Sequence, residues 1–400
     1  MEAMHMTTVE QALNIISTKA MPFKKECIHL EEALGRILAE DLYADRDYPP
    51  FNRAAMDGYA IMESDWGKGI REFQVLEVIF TAQAANQVLV SGTCYKIMTG
   101  AATPASANII IRMEDAMVYG KRVVLHSDKI KPYQNIARQG EDCSKGEMLL
   151  AAPSKCTPQV ISLLATLGKV KLDVFKMPKV ALITTGNEVV DPAAEVAPYQ
   201  IRNSNQYLLK SLLAQWHIIP VLCVHVPDHQ IELTKCLEEA LHADLVIING
   251  AVSGGDADFV PAVLETLGVE TLFHKVSIRP GKPLLVGEKQ FGPLVFALPG
   301  NPLSCLTTFQ VFIEHYLYRC CGYAAAPAER LPLLANKTKR HSLTEYFPVS
   351  YEAPGGLNQL PNNGSADVRA VVTASGLAVQ QALSPHINRH ELITYYPFNP

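Results

Sequence analysis

Glu188, Asp228 and Asp258 each stand in a turn that follows an apolar run: Thr184-Thr-Gly-Asn-Glu188, Pro227-Asp228 and Asn249-Gly-Ala-Val-Ser-Gly-Gly-Asp-Ala-Asp258. If the runs are strands of one sheet, the three carboxylates crowd at its edge. There they repel one another unless a cation lies between them, and hard oxygen ligands suit Mg²⁺. In the longest turn Gly250, Gly254 and Gly255 let the backbone come close to a ligand, while Ser253 and Asp256 add oxygens. Pro299-Gly-Asn-Pro302 exposes backbone N–H groups at a helix start, a place for phosphate. Lys282, in Pro280-Gly-Lys-Pro283, sits on a short, stiff loop suited to an anion. Each feature also has a plainer reading, as a helix cap, a first-turn acid or a proline at the first helical position; Asp228 in particular could cap a helix beginning near Gln230. Taken together, the acids, the basic loop and the glycine-rich turns point to phosphoryl or nucleotidyl chemistry. A dinucleotide-dependent dehydrogenase would share the sheet class, but the first strand runs into Thr-Thr-Gly-Asn-Glu rather than G-x-G-x-x-G.

The elements that must position these residues follow from periodicity. Strands are expected over 180–184, 218–226, 245–248 and 273–278, and helices over 204–216, 230–241, 259–267 and 303–318, with a hairpin of 284–287 and 294–298. Such alternation with short connections specifies a doubly wound α/β domain, whose ligand lies beyond the C-terminal ends of its strands. Upstream, helices are expected over 8–20, capped by Thr7 or Thr8, and over 30–40. The prolines of Tyr48-Pro-Pro50 then open a β-rich stretch with strands over 73–80, 95–98, 108–112 and 122–125, and a helix follows over 158–167. After Pro327 the pattern returns to β, over 346–351, 368–373, 378–382 and 391–396. The expected domains are a discontinuous segment of 1–45 with 140–178, an inserted β-rich domain of 46–139, the α/β domain of 179–325 and a C-terminal β domain of 326–400.

A net charge of −5 over 400 residues disfavours a general nucleic-acid binder and points to a small-molecule partner. Nine cysteines without a CxxC pair read as free thiols of a reducing cytosol rather than as disulfides or a zinc site. With no signal-peptide pattern and no apolar run of about 18 residues, a cytoplasmic protein without a membrane anchor is expected.

Seven motifs together resemble one family. They are Pro49-Pro-Phe-Asn-Arg-Ala-Ala-Met-Asp-Gly-Tyr-Ala60, Ile97-Met-Thr-Gly-Ala101, Gly140-Glu-Asp142, Thr185-Gly-Asn-Glu188, the 249–259 loop, Arg279-Pro-Gly-Lys-Pro283 and Leu298-Pro-Gly-Asn-Pro302. In this order they are similar to those of the molybdopterin molybdenumtransferases (MoeA and the gephyrin E domain). The resemblance implies a linking domain, an inserted β domain, a molybdopterin-binding α/β domain and a C-terminal β domain in an elongated homodimer with a shared active site. It implies insertion of molybdate into adenylylated molybdopterin with release of AMP, helped by Mg²⁺, with molybdopterin adenylyltransferase and molybdoenzyme apoproteins as partners. A non-catalytic molybdopterin-binding or scaffolding homologue is the alternative; the adenylyltransferase itself would lack the Met-Asp-Gly insertion.

Carried over by residue, the resemblance implies catalytic roles for Asp57, Asp142, Glu188 and Asp228, and Mg²⁺ ligands among Asp57, Glu188 and Asp258. Thr99 and Gly100 join Asp57 on the partner-facing side. Lys275, Arg279 and Lys282 correspond to residues that hold molybdate or the pterin phosphate. Thr185, Gly186, Gly250, Ser253, Gly254, Pro299, Gly300 and Asn301 form the cradle, with Arg340 and Ser365 as anion contacts from the last domain. Three positions depart from the family. Ala54 stands where a serine is common, Arg279 where lysine is frequent, and Ala251 where a second glycine is usual. A Cβ at 251 is expected to be tolerated if φ there is negative or the ligand passes elsewhere.

Overall fold

The computed structural model describes residues 6–127, 129–252 and 259–398, so Ser253, Gly254, Gly255, Asp256 and Asp258 lie outside the described residues. The chain forms two compact units, one of residues 1–39, 155–161 and 170–400, the other of 40–154 and 162–169.

The first unit is built on a sheet whose strands alternate with helices up to its fourth strand: β1 (Val180–Thr185), α1 (Ser204–Ala214), β2 (Leu222–Val226), α2 (Gln230–Ala240), β3 (Leu245–Asn249), α3 (Val260–Thr266) and β4 (Val269–His274); β5 (Ile278–Arg279), which belongs to another sheet, precedes β6 (Leu285–Lys289), β7 (Leu294–Leu298) and α4 (Pro302–Thr308). The strand order is β2-β1-β3-β7-β6-β4, in which the first four run parallel and β6 is antiparallel to both its neighbours. Successive side chains of a strand point to opposite faces. Leu182, Ile247 and Phe296 thus meet Leu209 and Leu213 of α1 on one face. Ile183, Ile248 and Val295 meet Leu233 and Leu237 of α2 and Val263 of α3 on the other. Burial on both faces is why β1 and β3 are continuous apolar runs.

Several expected elements are corrected. The 30–40 helix is instead a 3₁₀ turn at Leu30–Glu32 and a short strand at Ile37–Leu38, preceded by strand Lys25–His29, which pairs with Lys171–Phe175. Its helical spacing of apolar residues fails at Ile37 and Leu38, adjacent and both buried, with the chain turned by Gly35 just before them. The 273–278 strand ends at His274, because Lys275 takes a left-handed φ of +69°. The 368–373 strand is replaced by a 3₁₀ turn at Arg369–Val371. The 303–318 helix is present, but a π-helical stretch, Phe309–Ile313, separates α4 from α5 (Glu314–Cys320). The N-terminal helix, Val9–Lys19, is capped by Thr8 in a capping box with Gln11.

A second sheet of the same unit carries the C-terminal residues. Its strand β8 (Thr344–Glu352) pairs in parallel with β5, setting Glu345 opposite Arg279. Asn301 and Leu303, at the start of α4, bond to Ser365 of the following segment.

The second unit contains a six-stranded sheet in the order Ile109–Arg112, Gly58–Ile61, Thr93–Ile97, Glu72–Ile79, Arg122–Leu125, Ala116–Tyr119. Residue 58 must be glycine: a Cβ there would lie 2.1 Å from the Ile111 carbonyl oxygen. Asp57 immediately precedes the strand Gly58–Ile61. Its Oδ1 accepts from the Thr99 backbone N (2.6 Å) and Oγ1 (2.7 Å), and these bonds hold its carboxyl below the usual carboxylate range.

Candidate active site

A pocket of about 930 Å³ opens over the C-terminal ends of β1, β3 and β7, the edge at which open α/β sheets bind ligands. Its floor is a meeting of loops. Gly250, at φ +109°, follows β3 and lies so close to β1 that a Cβ would stand 2.6 Å from Thr185 Oγ1, whereas a Cβ on Gly300, after β7, would lie 3.9 Å from Gly250 Cα, in ordinary contact. The Gly250 N–H donates to the Leu298 carbonyl at 3.0 Å, closing the floor.

Two buried amides staple these loops. Asn205, on α1, donates through Nδ2 to Asn249 Oδ1 (2.9 Å) and to the Gly300 carbonyl (2.6 Å), while Asn249 Nδ2 donates to the Pro299 carbonyl (2.8 Å). Asn203 caps α1 and also donates to Thr184 Oγ1 (2.8 Å), which contacts His225 Nδ1 at 3.0 Å. Sequence reasoning missed Asn203 and Asn205 and treated Asn249 only as the start of a loop. Only for Asn249 was the signal present: a polar residue at the end of a strand buried on both faces must find partners. Asn205 Oδ1 and Thr185 Oγ1, both from residues of the lining, are buried without a hydrogen-bond partner among the described residues, an arrangement that costs about 1–3 kcal/mol per group.

Of the residues singled out from sequence, Thr185, Gly186, Glu188, Asp228, Gly250, Arg279, Lys282, Pro299, Gly300, Asn301 and Ser365 all line this pocket. Asp228 does not cap α2, whose N-cap is His229; its backbone N donates to Asn187 Oδ1 (3.0 Å) and its Oδ2 accepts from Asn187 N (3.3 Å), tying it to the Glu188 loop. Glu188 lies far in sequence from the next helix start, at Ser204, so it is no first-turn acid. The plainer reading of Asn301 holds alongside the functional one, since it is the N-cap of α4 with Pro302 at N1. Lys275 and Arg340 are not in the lining, and Arg340 is exposed. Asp57, Thr99, Gly100 and Asp142 belong to the second unit. Ala251 lines the pocket at φ +51°, so of the two conditions under which a Cβ is tolerated there, the negative φ is not met.

Among the described residues no three His, Cys, Asp or Glu side chains gather as a metal cage. Glu188 and Asp228 nevertheless offer two hard oxygen donors in one pocket. That suits Mg²⁺, which is commonly held by one or two carboxylates and completed by water and phosphate oxygens. The nine cysteines are free, and among the described residues no helix is long and apolar enough to cross a membrane.

A polar pocket at the strand ends of an α/β sheet, joined to a second β sheet, defines a multidomain ligand-binding α/β protein. Family models narrow this: residues 7–168 match the MoeA N-terminal region (domain I and II) and residues 181–319 a probable molybdopterin binding domain. The chain is 35% identical over 373 residues to a molybdopterin molybdenumtransferase of Synechococcus elongatus, covering 90% of this chain and 92% of that one. It is 34% identical to one of Haemophilus influenzae, over 79% of this chain and 78% of that one. The crystal structure of the molybdopterin biosynthesis moeA protein from Pyrococcus horikoshii OT3 superposes with a TM-score of 0.83 at 29% identity, covering 98% of this chain and 100% of that one. The chain belongs to the molybdopterin molybdenumtransferase family, enzymes of molybdenum cofactor biosynthesis.

Proposed function

We propose that the protein inserts molybdate into adenylylated molybdopterin with release of AMP, in a Mg²⁺-dependent reaction of the cytoplasm. The observation that carries this reading is the single pocket in which glycine loops from three parallel strand ends face the Arg279-Pro-Gly-Lys-Pro283 loop. Arg279 and Lys282 hold the oxyanion or the pterin phosphate by charge, and Gly250 and Gly300 let a phosphate approach backbone that side chains would otherwise cover. Asn205 Oδ1 and Thr185 Oγ1, which have no hydrogen-bond partner among the described residues, suit an occupant rich in hydrogen-bonding groups. Glu188 and Asp228 hold Mg²⁺, which when bound neutralises charge on the phosphoanhydride. Asp57, kept ionised by Thr99, completes the site from the second subunit of a homodimer, together with Asp142.

Single-turnover reaction of the protein with adenylylated molybdopterin and molybdate tests the proposal. AMP release is expected with Mg²⁺ and is expected to stop in EDTA. Asp57→Ala and Glu188→Ala are each expected to slow it by a factor of at least about 100 with little change in melting temperature. Full rates in both variants would overturn the site assignment. Binding without turnover in the wild type would favour the alternative, a pterin-binding scaffold, to which the strained backbone at Ala251 lends its one structural argument.

A further inference from the structure

The basic side of the pocket carries an acid that the anion-binding reading leaves without a task. Parallel pairing of β5 with β8 puts Glu345 directly beside Arg279, and Glu345 lines the pocket. Its Oε1 is 3.2 Å from Nζ of buried Lys337, whose ammonium also sits 4.5 Å from the centre of the Phe347 ring. Its Oε2 is buried, makes no hydrogen bond among the described residues and stands 3.6 Å from His341 Nε2. Burial pushes the His341 imidazole below its ordinary value; the charges acting on it are those of Glu345, Arg279, Lys339 and Lys337, one anion against three cations. Lys339 is buried with its ammonium engaged by the carbonyls of Leu343 and Gln381, both at 2.6 Å.

Arg279 and Lys282 in the lining, with Lys337 and Lys339 outside it, would hold a multiply charged anion very tightly if the carboxylate were missing. We infer that Glu345 sets the charge selectivity of the anion subsite, as the counterweight that keeps Arg279 and Lys282 from retaining a tetrahedral dianion. The inference rests on the reading of the 279–283 loop as that subsite. An enzyme that must pass its oxyanion on is served by moderate affinity, and a fixed negative charge beside the arginine supplies it. Because a Coulomb energy scales with ligand charge, its effect on the logarithm of affinity is twice as large for a dianion as for a monoanion of the same shape.

Calorimetric titration with molybdate and with perrhenate, tetrahedral oxyanions carrying two charges and one, tests this on the full chain. Glu345→Gln is expected to tighten molybdate by about tenfold and perrhenate by about threefold, both gains shrinking as salt is raised. Lys337→Met is expected to weaken both, molybdate more, and provides the test should Glu345→Gln fail to fold by thermal melting. A folded Glu345→Gln protein that binds molybdate no more tightly, or that shifts both anions by the same factor, overturns the inference while leaving the subsite intact. A wild-type protein that binds neither anion overturns the subsite itself.

Discussion

Two cavities of the first unit contrast in construction. The 930 Å³ pocket is walled by loops at strand ends, with carboxylates, amides and basic groups from separate motifs. The other, of about 200 Å³, is lined by Lys155, Gln215, Trp216, Glu314 and Tyr318 among others. There the Trp216 indole N–H donates to Glu314 Oε1 at 3.4 Å, Tyr318 packs edge-on against Trp216, and burial raises the Glu314 carboxyl to about 7. A perturbed acid in a cavity is a common signature of a functional site. Here it lies in the smaller cavity, to which no sequence motif contributes, immediately after the π-helical stretch Phe309–Ile313. The difference teaches that a raised carboxyl can record a folding cost, whereas the candidate active site is marked by convergence of loops.

The largest expected effect lies in the first cavity. Asn205→Ala removes two of the hydrogen bonds that staple the 249–250 and 299–300 loops to α1, and kcat/KM for AMP release is expected to fall by about 100-fold, as small misplacements of reacting groups do. Steady-state kinetics on a variant shown to be folded would measure this; an unchanged kcat/KM would erase the distinction between a stapled site and an ordinary cleft. Glu314→Gln sharpens the other side. The Glu314 carboxyl is raised from 4.5 to about 7 in the fold, so the folded state binds the extra proton between those values. The stability this proton lends is full below about pH 4.5 and is lost as pH rises through 7. The amide is expected to flatten that dependence and to stabilise the protein at pH 8 by about 2–3 kcal/mol, read from denaturant melts, with turnover unchanged. A tenfold drop in turnover would make the small cavity functional after all. Ala251→Gly is the smallest change: relief of the left-handed alanine is expected to stabilise by about 1 kcal/mol, measured as a rise in melting temperature.

Much of the α/β sheet was legible because β1 and β3 are apolar without interruption and are followed by turns with ligand chemistry. The same reasoning brought Glu188, Asp228, Lys282 and Gly300 toward one edge, and the resemblance added Arg279 and Ser365 to the same lining. It could not supply Asn205, which sits on a helix and reaches the floor only through tertiary contact, nor Glu345, whose place depends on a strand pairing between residues more than sixty positions apart. Local spacing misled at 30–40, where an amphipathic pattern is satisfied by a turn and a strand, and at 368–373, where β-branched residues were read without their surroundings. The φ of Ala251 was also invisible to residue type, since alanine is an uncommon occupant of left-handed backbone.

The pairing of β5 with β8 bears on how such a protein could be rearranged. Excising the α/β segment at a boundary near residue 325, as a domain transplant would, retains Arg279 and Lys282 but strips away the strand beside them and Ser365 with it. The basic loop would then become a raw sheet edge with unpaired amides, prone to recruit another strand. For this reason the pterin-binding module cannot be borrowed from this chain as a free-standing part; the C-terminal sheet has to travel with it.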